Sequence, residues 1–428
     1  FGLFPVFRHG RPDLASQLKD GGGRGGTGGR ERHRMRNGLV VTQVAMALVL
    51  LVGSGLMLRS FLALRSVDAG FDPEGVLTVR LTVPPGEISG VAETDDFFRQ
   101  LRERLAAQPG VVAVGSGSGV PLTGQLSFGG HGIEDHPRGP DEMPAMASFR
   151  FADPGFFETL GIPVVEGRAF SPGDGADGFR GVLVSAAYSR RWWPDGSALG
   201  RRVRQGPGDA WWQIVGVVGD VHYAGLEGDP EEMVYFPTLL GAPEQPFVVR
   251  SRDVVVKVAA QPSAFLPVLR REVWAINPRI PLANPRTMAE VREAAASRTS
   301  FTVAILGAAS GVALLLGMVG IYGVVSYVVT QRTREIGVRM ALGASAPAVR
   351  RMVVRQGVTL AAVGVLLGLV AAASLSSLMG SLLFGVSATD PATYVAVAVT
   401  LALVAALASW VPALRAAGVE PSIALRAE

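Results

Sequence analysis

No cysteine occurs anywhere in the 428 residues. That absence excludes disulfides, thiolate catalysis, zinc-thiolate sites and iron-sulfur clusters, so any domain facing an oxidising compartment must be held by its core alone. Lysine is nearly missing as well: Lys19 and Lys257 are the only two, and neither follows a glycine. A phosphate-cradling P-loop needs Gly-Lys-Ser/Thr, so the chain is not expected to bind or hydrolyse ATP itself. Serines are plentiful, yet no G-x-S-x-G elbow accompanied by an acid and a histidine is visible, and no enzyme is expected. No charge lies deep within the long apolar runs, which argues against a proton or ion relay and hence against an ATP-independent secondary transporter. The chain opens on Phe1 with no cleavable signal peptide before its first apolar run, which predicts a piece of a longer polypeptide.

What is present is apolar. Hydrophobic residues make up 48% of the chain, and the mean hydropathy is +0.32. That is more than a soluble protein of this size carries. The net charge of +4 does not form a stripe or groove. The arginines cluster beside apolar runs, which points to membrane topology rather than to nucleic acid.

Four runs have at least the roughly twenty residues that a membrane crossing needs. They are Gly38 to Leu58, Phe301 to Val329, Gly357 to Met379 and Tyr394 to Leu414. Arg30, Arg32, His33, Arg34 and Arg36 precede the first. Arg332, Arg334, Arg339, Arg350, Arg351 and Arg355 lie between the second and third, and Arg415 and Arg426 follow the fourth. If the N-terminus is cytoplasmic, every cluster falls on the inner side, the Gly380 to Ala392 link is external, and the C-terminus is cytoplasmic. Residues 63–297 then form one external domain. The expected fold class is an α-helical membrane protein with four transmembrane helices and an α+β periplasmic domain inserted between the first and second spans.

Inside that domain Leu77 to Val83 alternates as a strand. Thr94 is placed to cap a helix that buries Phe97, Leu101 and Leu105 and ends at Pro109-Gly110, and Val111 to Val114 follows as a strand. A second such unit runs from Val254 to Val258 through a helix capped by Ser263, with Phe265, Leu266, Leu269, Val273 and Ile276 as its buried stripe, to Ile280 and Leu282. Two β-α-β units predict a split α+β layer, with a β-rich lobe at about 125–250 inserted in it. Gly115-Ser-Gly-Ser-Gly119 has the wrong spacing for a dinucleotide loop and reads as a tight turn. His131, Glu134, Asp135 and His136 have metal-binding side chains on a Gly- and Pro-rich loop, where such residues are usually solvated. The Trp192-Trp193 and Trp211-Trp212 pairs read as packing rather than as a ligand platform.

Residues 21–37 form a Gly/Arg-rich cytoplasmic linker by composition. Residues 1–20 parallel the end of the chain: Phe4-Pro-Val-Phe-Arg8 with Pro12 and Leu18-Lys19 matches Val411-Pro-Ala-Leu-Arg415 with Pro421 and Leu425-Arg426. Between the second and third spans stands Thr330-Gln-Arg-Thr-Arg-Glu-Ile-Gly-Val-Arg-Met-Ala-Leu-Gly343-Ala-Ser345. Helix formers run from Gln331 to Leu342, Gly343 sits where a helix-ending glycine belongs, and Ser345 with Pro347 opens the next helix. A short surface helix of this kind can lie on lipid or grip a protein.

TREIGVRMALGAS, the two spans after it and the closing VPALRAA…EPSIALR resemble the FtsX/MacB-type ABC permeases over residues 298–428. The middle region is similar to the MacB-type periplasmic domain through Gly161-Ile-Pro163, Glu166-Gly-Arg168-Ala-Phe170, Val184 to Pro194 and Ile214 to Val221. The resemblance implies a permease subunit of an export or mechanotransmission system in the bacterial inner membrane, driven by an ABC ATPase in trans. It places the coupling on Glu335, Ile336, Gly337, Arg339, Ala341, Leu342 and Gly343. With the repeated tail, it also implies that residues 1–20 end a preceding FtsX-like module, as in duplicated orphan permeases, and that this module pairs with another in one chain or as a dimer. No cofactor or metal is expected. A membrane sensor or scaffold signalling through the same helices is the reading of a different class.

Overall fold

The computed structural model describes residues 27–124, 127–139, 142–171, 174, 179–206, 209–238, 249–342, 344–380 and 383–418. The repeated tail at residues 1–20 lies outside them. The chain divides into two units, Phe1–Leu58 with Val303–Glu428, and Arg59–Thr302. The elements in chain order are α1 (Thr27–Arg65), β1 (Val76–Thr82), α2 (Val91–Ala106), β2 (Val111–Gly117), β3 (Ser127–Ile133), β4 (Ala145–Ala152), α3 (Pro154–Thr159), β5 (Val164–Gly167), β6 (Gly181–Ser185) and α4 (Ala186–Trp192). Next come β7 (Arg202–Arg204), β8 (Trp212–Val218), β9 (Met233–Pro237), β10 (Ser251–Val258), α5 (Leu266–Ile276), β11 (Leu282–Thr287), α6 (Met288–Gln331), α7 (Thr333–Ala341), α8 (Ala346–Leu378) and α9 (Pro391–Ala417).

In the unit Arg59–Thr302, the strands β11-β1-β10-β2 lie side by side and antiparallel. Each of the units β1-α2-β2 and β10-α5-β11 therefore has a strand of the other between its two strands, the split arrangement of a ferredoxin-like layer. Alternation decides which face is core: Leu77, Val79 and Leu81 of β1 and Val254, Val256 and Val258 of β10 meet Phe97, Leu101 and Leu105 of α2 and Leu269 and Val273 of α5. Thr94 does not cap α2. The helix starts a turn earlier at Val91, with Glu93 in its favourable first turn, and the Thr94 hydroxyl donates back to the Gly90 carbonyl at 2.8 Å. Ser263 is not a cap either, because Pro262 opens a 3-10 turn that runs to Phe265 before α5 begins.

Gly115 and Gly117 are not in a turn but in β2. A side chain at Gly115 would collide with the backbone of Gly155 and Phe156, so the glycine allows α3 to lie directly on the strand. β2 meets β4 at a single pair, Gly117 with Ala152. From β4 the pairings continue through β3, β7, β8, β6 and β9, and β9 returns to β4 in parallel. The lobe thus closes on itself as a ring of strands, and its core holds Phe151, Val182, Val184, Trp212, Ile214, Val234 and Phe236. Trp212 and Trp193 are buried in this core, while Trp211 lies under the Arg204 guanidinium, 4.7 Å from its ring.

Arg252 of β10 is fully buried. It bonds the Asp95 carboxylate, donates to the Val249 carbonyl at 3.0 Å and stacks 4.4 Å over Phe98. Burial lowers the Arg252 pKa and raises that of Asp95, the latter in spite of its partner's charge.

Among the described residues, four helical stretches are long and apolar enough to cross a membrane: Arg34–Arg65, Phe301–Gln331, Ala346–Leu378 and Pro391–Ala417. Because α1 starts at Thr27, residues 27–37 of the stretch read as a linker are helical, while 21–26 lie outside the described residues. Helix-forming Glu31, Arg32, Arg34, Met35 and Arg36 account for the extension. In α8, Gly357, Ala361, Gly364, Gly368, Ala372 and Ser376 form a buried stripe of small residues. Such a stripe lets two backbones approach closely. A side chain at Gly364 would fall 2.7 Å from Val44 Cβ and 3.0 Å from the Val41 carbonyl of the first span. Sparse polar contacts add to this packing: the Ser310 hydroxyl reaches the Leu50 carbonyl at 2.9 Å, and Ser376 and Tyr394 hydroxyls pair at 2.8 Å.

Candidate functional site

The short helix α7 sits between the second and third spans, and its two faces differ. Ile336 is 2% exposed and joins a cluster with Val40, Val328, Val349 and Val353, with Met340 packed against it. Gly337 is also buried. On the other side Glu335, Val338, Arg339 and Ala341 are exposed, and Leu342 is 83% exposed. The helix is therefore anchored by one face and presents the other. Of the sequence-derived residues, Glu335, Arg339, Ala341 and Leu342 are on the open face, Ile336 and Gly337 are in the anchor, and Gly343 lies outside the described residues.

Local chemistry holds this orientation. Thr333 Oγ donates to the Val329 carbonyl at 3.0 Å at the start, and the Ala344 amide reaches the Arg339 carbonyl at 2.9 Å at the end. The latter is the six-residue closing bond that a glycine-ended helix makes. Arg339 pairs with Glu335 one turn back at 2.6 Å and contacts Met352 Sδ at 3.1 Å. An exposed pair of this kind adds only about 0.3–0.5 kcal/mol. Together the two contacts hold the half-exposed Arg339 guanidinium between Glu335 and Met352. Val338 and Met352 were missed by sequence reasoning. The spacing could have found Val338, since two residues turn a helix by about 200° and set it opposite an apolar side at Ile336 and Met340.

The His131, Glu134, Asp135 and His136 group does not converge. Glu134 pairs with Arg202, and Asp135 with Arg201 at 2.8 Å. His136 Nε2 contacts the Trp192 carbonyl at 3.0 Å, and His131 stacks near Tyr188 and Trp192. Among the described residues no group of three or more potential ligands could hold a metal. Burial, with Arg138 and Arg191 behind it, pushes the His131 imidazole down to about 4. In the unfolded chain this group takes up its proton near its ordinary value of 6.5. Below that pH the unfolded state binds a proton that the folded state refuses. The domain should therefore lose stability as pH falls from 6.5 towards 4, by about 3 kcal/mol at most. Thermal unfolding at stepped pH checks this: His131→Phe should flatten the dependence in that window.

Four apolar spanning helices and an α+β domain between the first two define a multi-pass membrane protein with an extracytoplasmic domain. Residues 39–271 match the MacB-like periplasmic core domain, and residues 307–421 match the FtsX-like permease C-terminal domain. The chain belongs to the FtsX/MacB family of ABC-type permeases. Among curated relatives, the macrolide export ATP-binding/permease protein MacB of Marinobacter nauticus is 27% identical over 51% of this chain and 34% of its own length. The pyoverdine export ATP-binding/permease protein PvdT of Pseudomonas savastanoi is 36% identical over 31% of this chain and 20% of its own length. The matched stretches thus span well under half of these relatives. The crystal structure of the periplasmic region of MacB from Actinobacillus actinomycetemcomitans is 13% identical, covering 53% of this chain and 94% of that one, with a TM-score of 0.35.

Proposed function

We propose that the chain is the permease part of an ABC-type export or mechanotransmission system, and that α7 couples ATP hydrolysis by a separate ATPase subunit to movement of the extracytoplasmic domain. The observation that carries this is the anchored helix with an open face. Leu342 and Val338 offer an apolar contact flanked by the Arg339–Glu335 pair, and Ile336 ties the helix to the spans so that a push on it reaches them. The relatives' names join an ATP-binding part to a permease, which fits an engine acting on this surface. The arginine clusters favour a bacterial inner-membrane chain with both termini cytoplasmic and the large domain periplasmic. Pairing with another FtsX-like module, in the same longer polypeptide or as a dimer, completes the reading.

Co-purification tests it. Arg339→Glu reverses the charge on the open face and leaves the anchor untouched. The ATPase subunit recovered with the detergent-solubilised full-length protein should fall at least about tenfold, while gel filtration of the permease stays unchanged. If no ATPase follows the parent protein, and the variant retains full function, the coupling role is wrong.

A further inference from the structure

The antiparallel layer β11-β1-β10-β2 has a second face, opposite the one that α2 and α5 cover. Alternation puts Thr78 and Arg80 of β1 there, beside their partners in register, Arg286 of β11 and Asp253 of β10. The segment after β2 lies over this face, tied down where the Leu122 and Gly124 amides donate to the His222 and Tyr223 carbonyls, each at 3.1 Å. Between cover and sheet a cavity of about 90 Å³ remains, lined by these four residues with Val120, Thr123 and Asn284. A single water needs about 10–15 Å³, so the space exceeds one water several times over.

Thr78 is 3% exposed, and its hydroxyl has no hydrogen-bond partner. A buried hydroxyl left unpaired is destabilising. Arg80 is already committed: its Nε and Nη2 fork onto the two Asp253 oxygens at 2.9 and 2.7 Å, which leaves Nη1. The side chains of Asn284 and Arg286 take no hydrogen bond or ion pair among the described residues. Two guanidinia against one carboxylate leave one positive charge, and donors outnumber acceptors among the free groups. Both walls also carry unusual backbone. Asn284 and Pro285 together oppose Val79 of β1, a bulge in which Asn284 takes φ +50°. Leu122, between Val120 and Thr123, takes φ +61°. Leucine seldom occupies that region, and residues held there cluster where a ligand is gripped.

We propose that this cavity binds a small carboxylate, with its oxygens on the Arg286 fork, the Thr78 hydroxyl and the Asn284 amide. A monoanion matches the single excess charge, and a planar carboxylate matches an arginine fork. The dianion of phosphate would bring a second negative charge against Asp253. Asn284 and Arg286 are exposed on the edge strand β11, so the far end of the ligand reaches solvent. A free acid and the C-terminus of a peptide present the same group to it. The site is independent of the ATPase reading, and either can fail alone.

The test titrates sodium acetate into the full chain in mild detergent, at an ionic strength held constant with sodium chloride, and follows thermal unfolding by tryptophan fluorescence. Acetate should raise the unfolding temperature saturably, with a Kd in the millimolar range. Arg286→Gln should weaken binding by at least about tenfold, the scale of one charge-assisted hydrogen bond. Thr78→Val keeps the shape of the side chain and should weaken acetate to a similar degree. In chloride it should unfold at the same temperature as the parent or higher, since the hydroxyl it removes is unpaired. N-acetyl-alanyl-alanine assigns the source: tighter binding than acetate marks a chain end, and weaker binding a free acid. Its C-terminal amide should not bind. No response to acetate, a response that survives both variants, binding of the amide, or stronger binding of phosphate than of acetate overturns the proposal. So does a Thr78→Val protein that is less stable in chloride and still responds fully to acetate, because the hydroxyl then serves a buried water. If Thr78→Val does not fold, Arg286→Gln, exposed on the edge strand, decides.

Discussion

Gly364→Leu should prevent the membrane unit from assembling. The added side chain meets Val44 Cβ and the Val41 carbonyl of the first span, where neither backbone nor a branched side chain can give way. The cost is about 3 kcal/mol, the upper end for overpacking, because Gly368 one turn on also lies against the first span, at Leu48 and Ala45, and leaves no room to shift. Gly317 is the internal control. Nothing lies within 4 Å of a side chain placed there, so Gly317→Leu should be tolerated within about 0.5 kcal/mol. Thermal stability in detergent, followed by gel filtration, separates the two. Equal behaviour of both variants would mean that close backbone contact does not hold the spans together.

Arg252→Ala should be the most damaging single change in the extracytoplasmic domain. It strands the buried Asp95 carboxylate and removes the guanidinium stacked on Phe98. Breaking a buried pair from one side costs about 3–5 kcal/mol, whereas replacing both partners by apolar groups of similar size is often neutral. Arg252→Met with Asp95→Leu should therefore recover most of the stability lost by Arg252→Ala. Chemical denaturation monitored by tryptophan fluorescence would report both, since Trp193 and Trp212 are buried in the neighbouring lobe of the same unit. If the double variant is as unstable as Arg252→Ala, the pair is not the origin of the loss.

These two cases show where sequence reading stops. The spans were legible because twenty apolar residues have no other use in a protein of this kind, and β1, α2, β10 and α5 were legible through periodicity. Which glycine faces which helix was not, since a run such as Gly357 to Met379 carries small residues on several sides. The Arg252–Asp95 pair joins positions 157 residues apart and leaves no local trace. Closure of the inserted lobe depends on β9 pairing back to β4, a parallel contact between strands some eighty residues apart in number. The start of α2 was misjudged because Thr94 is a good cap by composition, yet Gly90 and Glu93 allow one more turn. In α7 the helix, and the separation of Ile336 and Met340 from Glu335 and Arg339, followed from propensity and periodicity, whereas which side is anchored emerged only with the packing of Ile336.

The absence of cysteine from these 428 residues provides a direct measurement of the coupling role, because Leu342→Cys puts the one thiol of this stretch on the open face of α7, and the parent protein serves as the control for crosslinking from anywhere else. A short crosslinker on that thiol, in membranes holding the full-length protein and its transport partners, should capture an ATP-binding subunit in a manner sensitive to ATP. Val112→Cys, also well exposed at 63% but on the extracytoplasmic domain, should not. Capture of the ATPase from position 342 alone is the predicted result; no ATPase from position 342, or the same capture from both positions, would contradict the account.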